Sequence, residues 1–201
     1  MDRTRVGVIG YGYWGPNLAR NLKSIPGINL KYICDEDPDR GKKLDFKYPG
    51  TEFLCDCDKI ARDKDVDAVL ISTPVKSHYL LSKMMLEEDK DVFVEKPLAY
   101  STSHAKELVD LADKKERILM VGHTFLYSPS VKQIKKIIDS GDLGEIYFIS
   151  SSRVNLGKHQ KDVSVLWDLA PHDLSMFHYW LGKDPKWVAC HGNNYIIKDI
   201  P

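Results

Sequence analysis

The chain has 201 residues, 43% hydrophobic and 29% charged, enough for one large domain or two small ones around a sizeable core. Lys+Arg and Asp+Glu both total 29, so no charge excess points to nucleic acid or to an anionic membrane surface. The start, MDRTRVGVIG, has no signal-peptide apolar region and no apolar run reaches the length of a membrane span, which fits a soluble, cytoplasmic protein.

The first predicted element is a buried strand, Arg5–Ile9, which runs into three glycines, Gly10, Gly12 and Gly15. A helix over Pro16–Ser24 follows, with proline in its first turn. A strand, then G-x-G-x-x-G, then a helix is the first βα turn of a dinucleotide-binding fold. The glycines permit a tight turn and let the backbone approach a pyrophosphate, which the helix N-terminus then faces with unpaired N–H groups. Tyr13 and Trp14 belong to the same loop. After the turn at Pro26-Gly27 comes the strand Asn29–Cys34, which ends in Asp35.

Helix signals then cover Pro38–Tyr48 and, more briefly, Asp56–Arg62, separated by the extended piece Thr51–Leu54. Ala68–Ser72 is almost wholly apolar, as a strand covered on both faces should be. Thr73-Pro74 stops it, and Ser77–Glu88 has helical spacing in Leu80, Leu81, Met84 and Met85. The strand Asp91–Glu95 ends in Lys96-Pro97, helix Thr102–Lys115 carries Ser101 as its N-cap, and Ile118–Val121 is a last short strand before Gly122. Strands separated by helices imply βαβ units, hence an α/β, doubly wound parallel sheet over residues 1–122.

Beyond Gly122 the pattern changes. A helix runs from Ser128-Pro129 to Ser140 and ends at Gly141, Glu145–Asn155 alternates like a half-exposed strand, and Val165–Leu181 is helical in pattern. Pro171 is compatible only with a helix start, and Trp187–Ile197 carries a further strand signal. Residues 123–201 therefore read as the beginning of an α+β domain with too few strands to finish its sheet. The stop at Pro201 without a closing helix suggests a truncated product, and a partial sheet leaves an edge that must pair with something.

Several residues carry candidate chemistry. Asp35 lies 20 residues after Gly15, where a carboxylate accepts the ribose hydroxyls of NAD and repels the 2′-phosphate of NADP. The alternative is a cap for the helix near Pro38, and Arg40 is close enough to accommodate a 2′-phosphate. Ser72, Thr73, Pro74, Glu95 and Lys96 fall at the carboxyl ends of strands, where ligands of open α/β sheets bind, and His78 follows close behind. Pro97 keeps Lys96 out of helical dihedrals, so that its ammonium could donate to a substrate hydroxyl; the bland alternative is a lysine paired with Glu95 or left in solvent. Asp168 and His172 share one helix face in WDLAPHD and suit an oriented general base, against an exposed aspartate beside a core histidine. His104, His159, His178 and His191 carry no such signal. The four cysteines (Cys34, Cys55, Cys57, Cys190) lack a disulfide spacing, and the C-x-C of Cys55 and Cys57 has no second pair or nearby histidine to complete a metal site, so no metal is expected.

The segments VGVIGYGYWG, ISTPVKSHY, VFVEKPLA, GHTFLYSPSV, GDLGEI and WDLAPHDLSM, from residue 6 to about 181, resemble the Gfo/Idh/MocA (glucose–fructose oxidoreductase/inositol dehydrogenase) family. The resemblance implies a Rossmann domain, a mixed-sheet substrate domain, a tightly held nicotinamide cofactor, homo-oligomerisation, and oxidation or reduction of a sugar or cyclitol hydroxyl. It assigns Lys96 as the active-site lysine and Asp168 and His172 as the carboxylate and histidine; which of Lys96 and His172 accepts the proton stays open. The GYWGPNLARN and HTFLYSPSV segments look most like the branch acting at the 3-hydroxyl of nucleotide-linked amino sugars, such as UDP-N-acetylglucosamine or its uronic acid. Arg153 and Asn155 are then candidates for gripping an acidic or diphosphate substrate, beside the plain alternative of a solvent-facing arginine. Members of the family usually continue well beyond this length.

Overall fold

A computed structural model describes residues 3–42, 44–154 and 163–194. In it the chain forms two compact units, residues 1–122 and 123–201.

Six strands build the first unit: β1 (Thr4–Ile9), β2 (Ile28–Cys34), β3 (Glu52–Leu54), β4 (Ala68–Ile71), β5 (Asp91–Val94) and β6 (Leu119–Val121). All neighbours are parallel and their order is β3-β2-β1-β4-β5-β6, so the chain reverses direction across the sheet between β1 and β4. That is the strand order of a dinucleotide-binding Rossmann fold, and the reversal opens a crevice at the carboxyl ends of β1 and β4.

Strand alternation sorts the core into two layers. Val6, Val8, Leu30 and Ile33 point to one face, with Ala19 and Leu22 of helix α1 (Gly15–Ser24) and Leu44 of the short helix α2 (Leu44–Lys47). Ile9, Tyr32, Cys34, Val69, Ile71, Val92 and Val94 share a cluster with Ile60 of α3 (Asp58–Arg62), Met85 and Leu86 of α4 (Val75–Glu87), and Leu108 and Ala112 of α5 (Thr102–Lys115). Ser101 caps α5 as its sequence predicts, accepting the His104 N–H. The helix expected over Pro38–Tyr48 is instead a 3-10 turn, Pro38–Gly41, followed by α2. Gly41 leaves no room for a side chain, because a Cβ there would meet the Phe53 ring at 2.5 Å, and the chain tightens as it passes over that ring.

In the second unit, a 3-10 turn (Thr124–Tyr127) leads to α6 (Pro129–Asp139), and α7 (Val165–Leu181) lies against it. Trp180 Nε1 donates to the Val131 carbonyl at 3.0 Å, joining the two helices. Two expectations are corrected here. Residues 145–154 form no strand, nor do residues 187–194, and the rest of each expected strand lies outside the described residues. Tyr147 is 86% exposed, Phe148 83% and Trp187 80%, so the alternating pattern has no sheet partner among the described residues. A strand has no stability without one. Pro171 sits well inside α7 rather than at its start. The missing N–H removes one helical hydrogen bond, and α7 continues because the Ser164 cap holds its start while tertiary contacts hold the part beyond the proline: Asp173 to residues 151–153, and Trp180 to α6.

At the sheet margin, Asp63 ties β2 to the loop after α3. Its Oδ2 accepts Lys31 Nζ at 2.6 Å and the Tyr32 hydroxyl at 2.7 Å, while the ammonium of buried Lys90 reaches its main-chain carbonyl at 2.7 Å. Burial pushes the Asp63 carboxyl up, but the Lys31 and Tyr32 bonds outweigh it and hold the group at about 2. A folded value below the unfolded one, roughly 3.9, gives stability that is complete above that value and lost as pH falls through the folded one. Asp63→Asn is therefore expected to lower the unfolding free energy at pH 7 by about 2 kcal/mol. Urea titrations should show the difference from the parent chain shrinking between about pH 4 and pH 2.

Candidate active site

The turns after β1, β2, β4 and β5 leave the sheet at the same edge and carry the first unit's candidate residues. Gly10 adopts φ +91°, and a Cβ there would stand 2.8 Å from the Ser72 carbonyl carbon and oxygen and from Thr73 Cγ2. At Gly15 the added Cβ would collide with the Gly10 carbonyl oxygen. The glycine loop is therefore folded tightly on itself and against the turn after β4. Ser72 Oγ donates to the Gly10 carbonyl at 2.8 Å, and the Gly10 N–H to the Cys34 carbonyl, also at 2.8 Å.

α1 begins with Trp14 as N-cap, without a side-chain capping bond and without an acidic residue in its first turn. The helix thus presents its positive end to an anion. A bare-backbone loop, an uncapped helix start and the crevice beside β4 fit a dinucleotide pyrophosphate. Tyr13 and Trp14 flank the loop as exposed side chains, their rings edge to face at 5.8 Å.

Asp35, at the end of β2, is only 7% exposed. Its Oδ2 accepts the Tyr11 N–H at 2.6 Å and Arg40 Nη1 at 2.8 Å, and its Oδ1 accepts the Asp37 N–H at 3.0 Å. The cap of the 3-10 turn is Asp37, which accepts the Asp39 N–H, so Asp35 is not that cap. It is the post to which the glycine loop is tied. Arg40 completes the arrangement by lying over the loop, where a Cβ at Gly12 would be 2.9 Å from its Nη1. Pro74 is exposed at the crevice mouth, and Thr73 Oγ1 accepts the Ser77 hydroxyl at 2.7 Å.

β5 delivers Glu95 and Lys96, both half-buried, and the Lys96-Pro97 bond is cis. Burial pushes the Glu95 carboxyl up against the opposing Lys96 N–H and ammonium. The Glu95 carboxylate also crowds Gly122, where a Cβ would lie 3.1 Å from its Oε2. His78, in the first turn of α4, is buried beneath the turns after β4 and β5.

In the second unit, Asp168 and His172 lie four residues apart on α7, both half-buried. The His172 ring meets Phe125 edge-on at 4.5 Å. Arg153 does not lie on a strand. Its guanidinium grips Asp173 at 2.6 and 3.2 Å and passes over the Phe125 ring at 5.0 Å, while Ser151 donates to the same carboxylate at 2.8 Å. Burial raises the Asp173 carboxyl, but the Arg153 and Ser151 bonds bring it below its ordinary value. Asn155 lies outside the described residues. Pro171 and Leu174 line an open apolar depression of about 440 Å³ with His123 and Leu126.

The sequence reasoning missed Asp173, Ser151 and Phe125, because a pair such as Arg153–Asp173 spans a loop and follows no helical or strand period. Asp56, Cys57 and Asp58 bring ligand atoms within 4.8 Å of one another, but Asp56 accepts the Asp58 N–H at 2.9 Å, the geometry of a turn at the start of α3.

Residues 4–123 match the family model described as oxidoreductase family, NAD-binding Rossmann fold, and residues 131–199 match the GFO/IDH/MocA C-terminal domain. The chain belongs to the Gfo/Idh/MocA oxidoreductases. It is 30% identical to the uncharacterized oxidoreductase YdgJ of Escherichia coli over 181 residues, 85% of this chain and 51% of that protein. It is 26% identical to myo-inositol 2-dehydrogenase of Thermotoga maritima, over 98% of this chain and 60% of that one. Among solved structures it superposes on GenD2 from gentamicin A biosynthesis in complex with NAD, with TM-score 0.80 and 25% identity, covering 90% of this chain and 54% of that one. The chain spans about half the length of the relatives it matches. Among the described residues of this Gfo/Idh/MocA chain, no helix is long and apolar enough to cross a membrane.

The Asp35–Arg40 pair makes cofactor choice measurable. Losing the Arg40 cation is expected to disfavour NADP: in Arg40→Ala the ratio of NADP to NAD affinity should fall about tenfold, the size of one charge-assisted hydrogen bond. Asp35→Asn should move the ratio the opposite way. Calorimetric titration of both cofactors against each variant reads the two ratios directly.

Proposed function

We propose that this chain is the cofactor-binding and catalytic part of a cytoplasmic NAD-dependent dehydrogenase acting on a secondary hydroxyl of a sugar or cyclitol. The observation that carries the reading is Lys96. It lies two residues beyond the end of β5, the strand next to β4, on the same sheet edge as the glycine loop. An ammonium there is suited to donate to the reacting oxygen and to favour the alkoxide. His172 is the proton acceptor in this reading, and Asp168, four residues earlier on α7, supports its imidazolium form. Nicotinamide, when bound, supplies the acceptor for the hydride from the carbinol carbon.

Asp35 holds the loop and gives the ribose diol a carboxylate to donate to, with Tyr13, Trp14, Ser72, Thr73, Pro74 and Glu95 around the cofactor. Myo-inositol 2-dehydrogenase among the relatives supports cyclitols as the first substrates to try. The GYWGPNLARN and HTFLYSPSV segments support nucleotide-linked amino sugars as the second. Arg153, held by Asp173 beside Phe125, and Asn155 are the residues we assign to an acidic or diphosphate substituent.

The experiment is a panel of inositols, free sugars and nucleotide-linked sugars, followed by absorbance of the reduced cofactor. Lys96→Ala and His172→Ala are each expected to cut kcat by about 10²–10⁴, the usual contribution of a positioned acid–base group, while the Kd for NAD stays within about threefold. If NAD binds and turnover is the same in both variants as in the parent chain, the protein is a cofactor-binding module and the catalytic reading is lost.

A further inference from the structure

His78 is 1% exposed, and its ring stands between two backbone carbonyls. Nδ1 lies 2.8 Å from the oxygen of Pro97 and Nε2 lies 2.9 Å from the oxygen of Thr73. Carbonyl oxygens only accept. A neutral imidazole has a single N–H, and its other nitrogen carries a lone pair. Either neutral tautomer would therefore set that lone pair against a carbonyl oxygen at hydrogen-bond distance, on a ring that is itself buried. Only the imidazolium can donate to both oxygens.

We infer that His78 is held as a doubly donating imidazolium and acts as a positioning residue, tying the turn after β4 to the turn after β5. The two oxygens it joins belong to the functional edge. Thr73 packs against Gly10, since a Cβ on that glycine would meet Thr73 Cγ2 at 2.8 Å. Pro97 directly follows Lys96. The cation thus fixes the spacing between the glycine loop's support and the backbone of the lysine. Neutralising the ring releases one of the two turns, whichever tautomer results.

The segments packed beside it bring ionisable groups from three directions. The β5 turn brings Glu95 and Lys96, and the first two turns of α4 bring Lys76 and Tyr79. α5 brings His104, stacked on the Tyr79 ring at 3.9 Å, and Glu107, which accepts the Tyr79 hydroxyl at 2.7 Å and Lys83 at 2.6 Å. β4, with the sequence AVLI, brings none. Burial and the positive end of α4 both oppose a cation in this place, and the two charge-assisted bonds favour it.

The inference rests on the proposed catalytic reading only where it concerns what Lys96 does, and its test needs no turnover. The chain labelled with ¹⁵N-histidine is observed by long-range ¹H–¹⁵N correlation at pH 7.5, above the ordinary histidine pKa of about 6.5. The His78 signals are assigned by their loss in His78→Asn. Both ring nitrogens are expected to show protonated shifts and slowly exchanging protons. A single unprotonated nitrogen at that pH overturns the proposal.

Amide exchange then reads the positioning role. In His78→Asn the Lys96 amide is expected to exchange at least about tenfold faster, while amides in the middle of α5 keep their protection. If α5 is unchanged and Lys96 is unchanged too, His78 does not hold the turn. Should the variant lose protection everywhere, the same comparison is made in the parent chain between pH 7.5 and the pH at which the ring shifts report deprotonation, after correction for intrinsic exchange. Loss of Lys96 protection in step with the ring then supports the proposal, and its absence overturns it.

Discussion

Parallel strands all end at the same edge, and everything functional in the first unit follows from that constraint. Antiparallel neighbours would send successive turns to opposite ends of the sheet. Here β1, β2, β4 and β5 release their turns side by side. Backbone bonds to neighbouring strands hold only the first residue of each turn, as Gly10 N–H does with the Cys34 carbonyl, and side chains add the remaining ties. Asp35 ties the glycine loop to the turn after β2, Ser72 ties it to the turn after β4, and His78 ties the turn after β4 to that after β5. The edge is a chain of polar links: Asp35 and Ser72 each directly follow a strand, and His78 reaches the edge from the first turn of α4.

That regularity made the first unit legible. Apolar runs such as AVLI announce strands buried on both faces, and the glycine spacing announces the first turn. What stayed hidden was the use of the side chains. Asp35 could be placed by counting from Gly15, but its bond to the Tyr11 N–H joins residues 24 positions apart and leaves no periodic trace. His78 was expected near the cofactor for its proximity to Thr73-Pro74. Its second contact, to Pro97, lies 19 residues away and becomes visible only once β4 and β5 pair.

The second unit was less legible for a different physical reason. Helices are local, and α6 and α7 fall almost where spacing predicts them. Strand signals are not local: alternation at Glu145–Asn155 and Trp187–Ile197 describes a surface that suits a sheet, and a sheet requires neighbours. In place of ladder bonds, residues 151–153 are held by the carboxylate of Asp173, which takes a serine and a two-pronged arginine at once. Phe125 fills the space between that arginine and His172, so one aromatic ring couples a candidate substrate grip to a candidate base. Pro171 shows the same balance from the other side, since tertiary contacts outweigh the loss of a single helical bond.

The guanidinium lying across Gly12 makes the cradle a site that already holds a resident charge, supplied by the protein itself. Beside the bare backbone of the glycine loop, a dinucleotide meets Arg40 already paired with Asp35. Affinity is then a difference between two electrostatic arrangements. Dissolved salt weakens the internal pair as well as any charged contact made to a ligand, Arg40 being the more solvent-exposed of the two side chains. In such a site the arginine has a protein partner of its own, and the pair braces the loop from the side of β2.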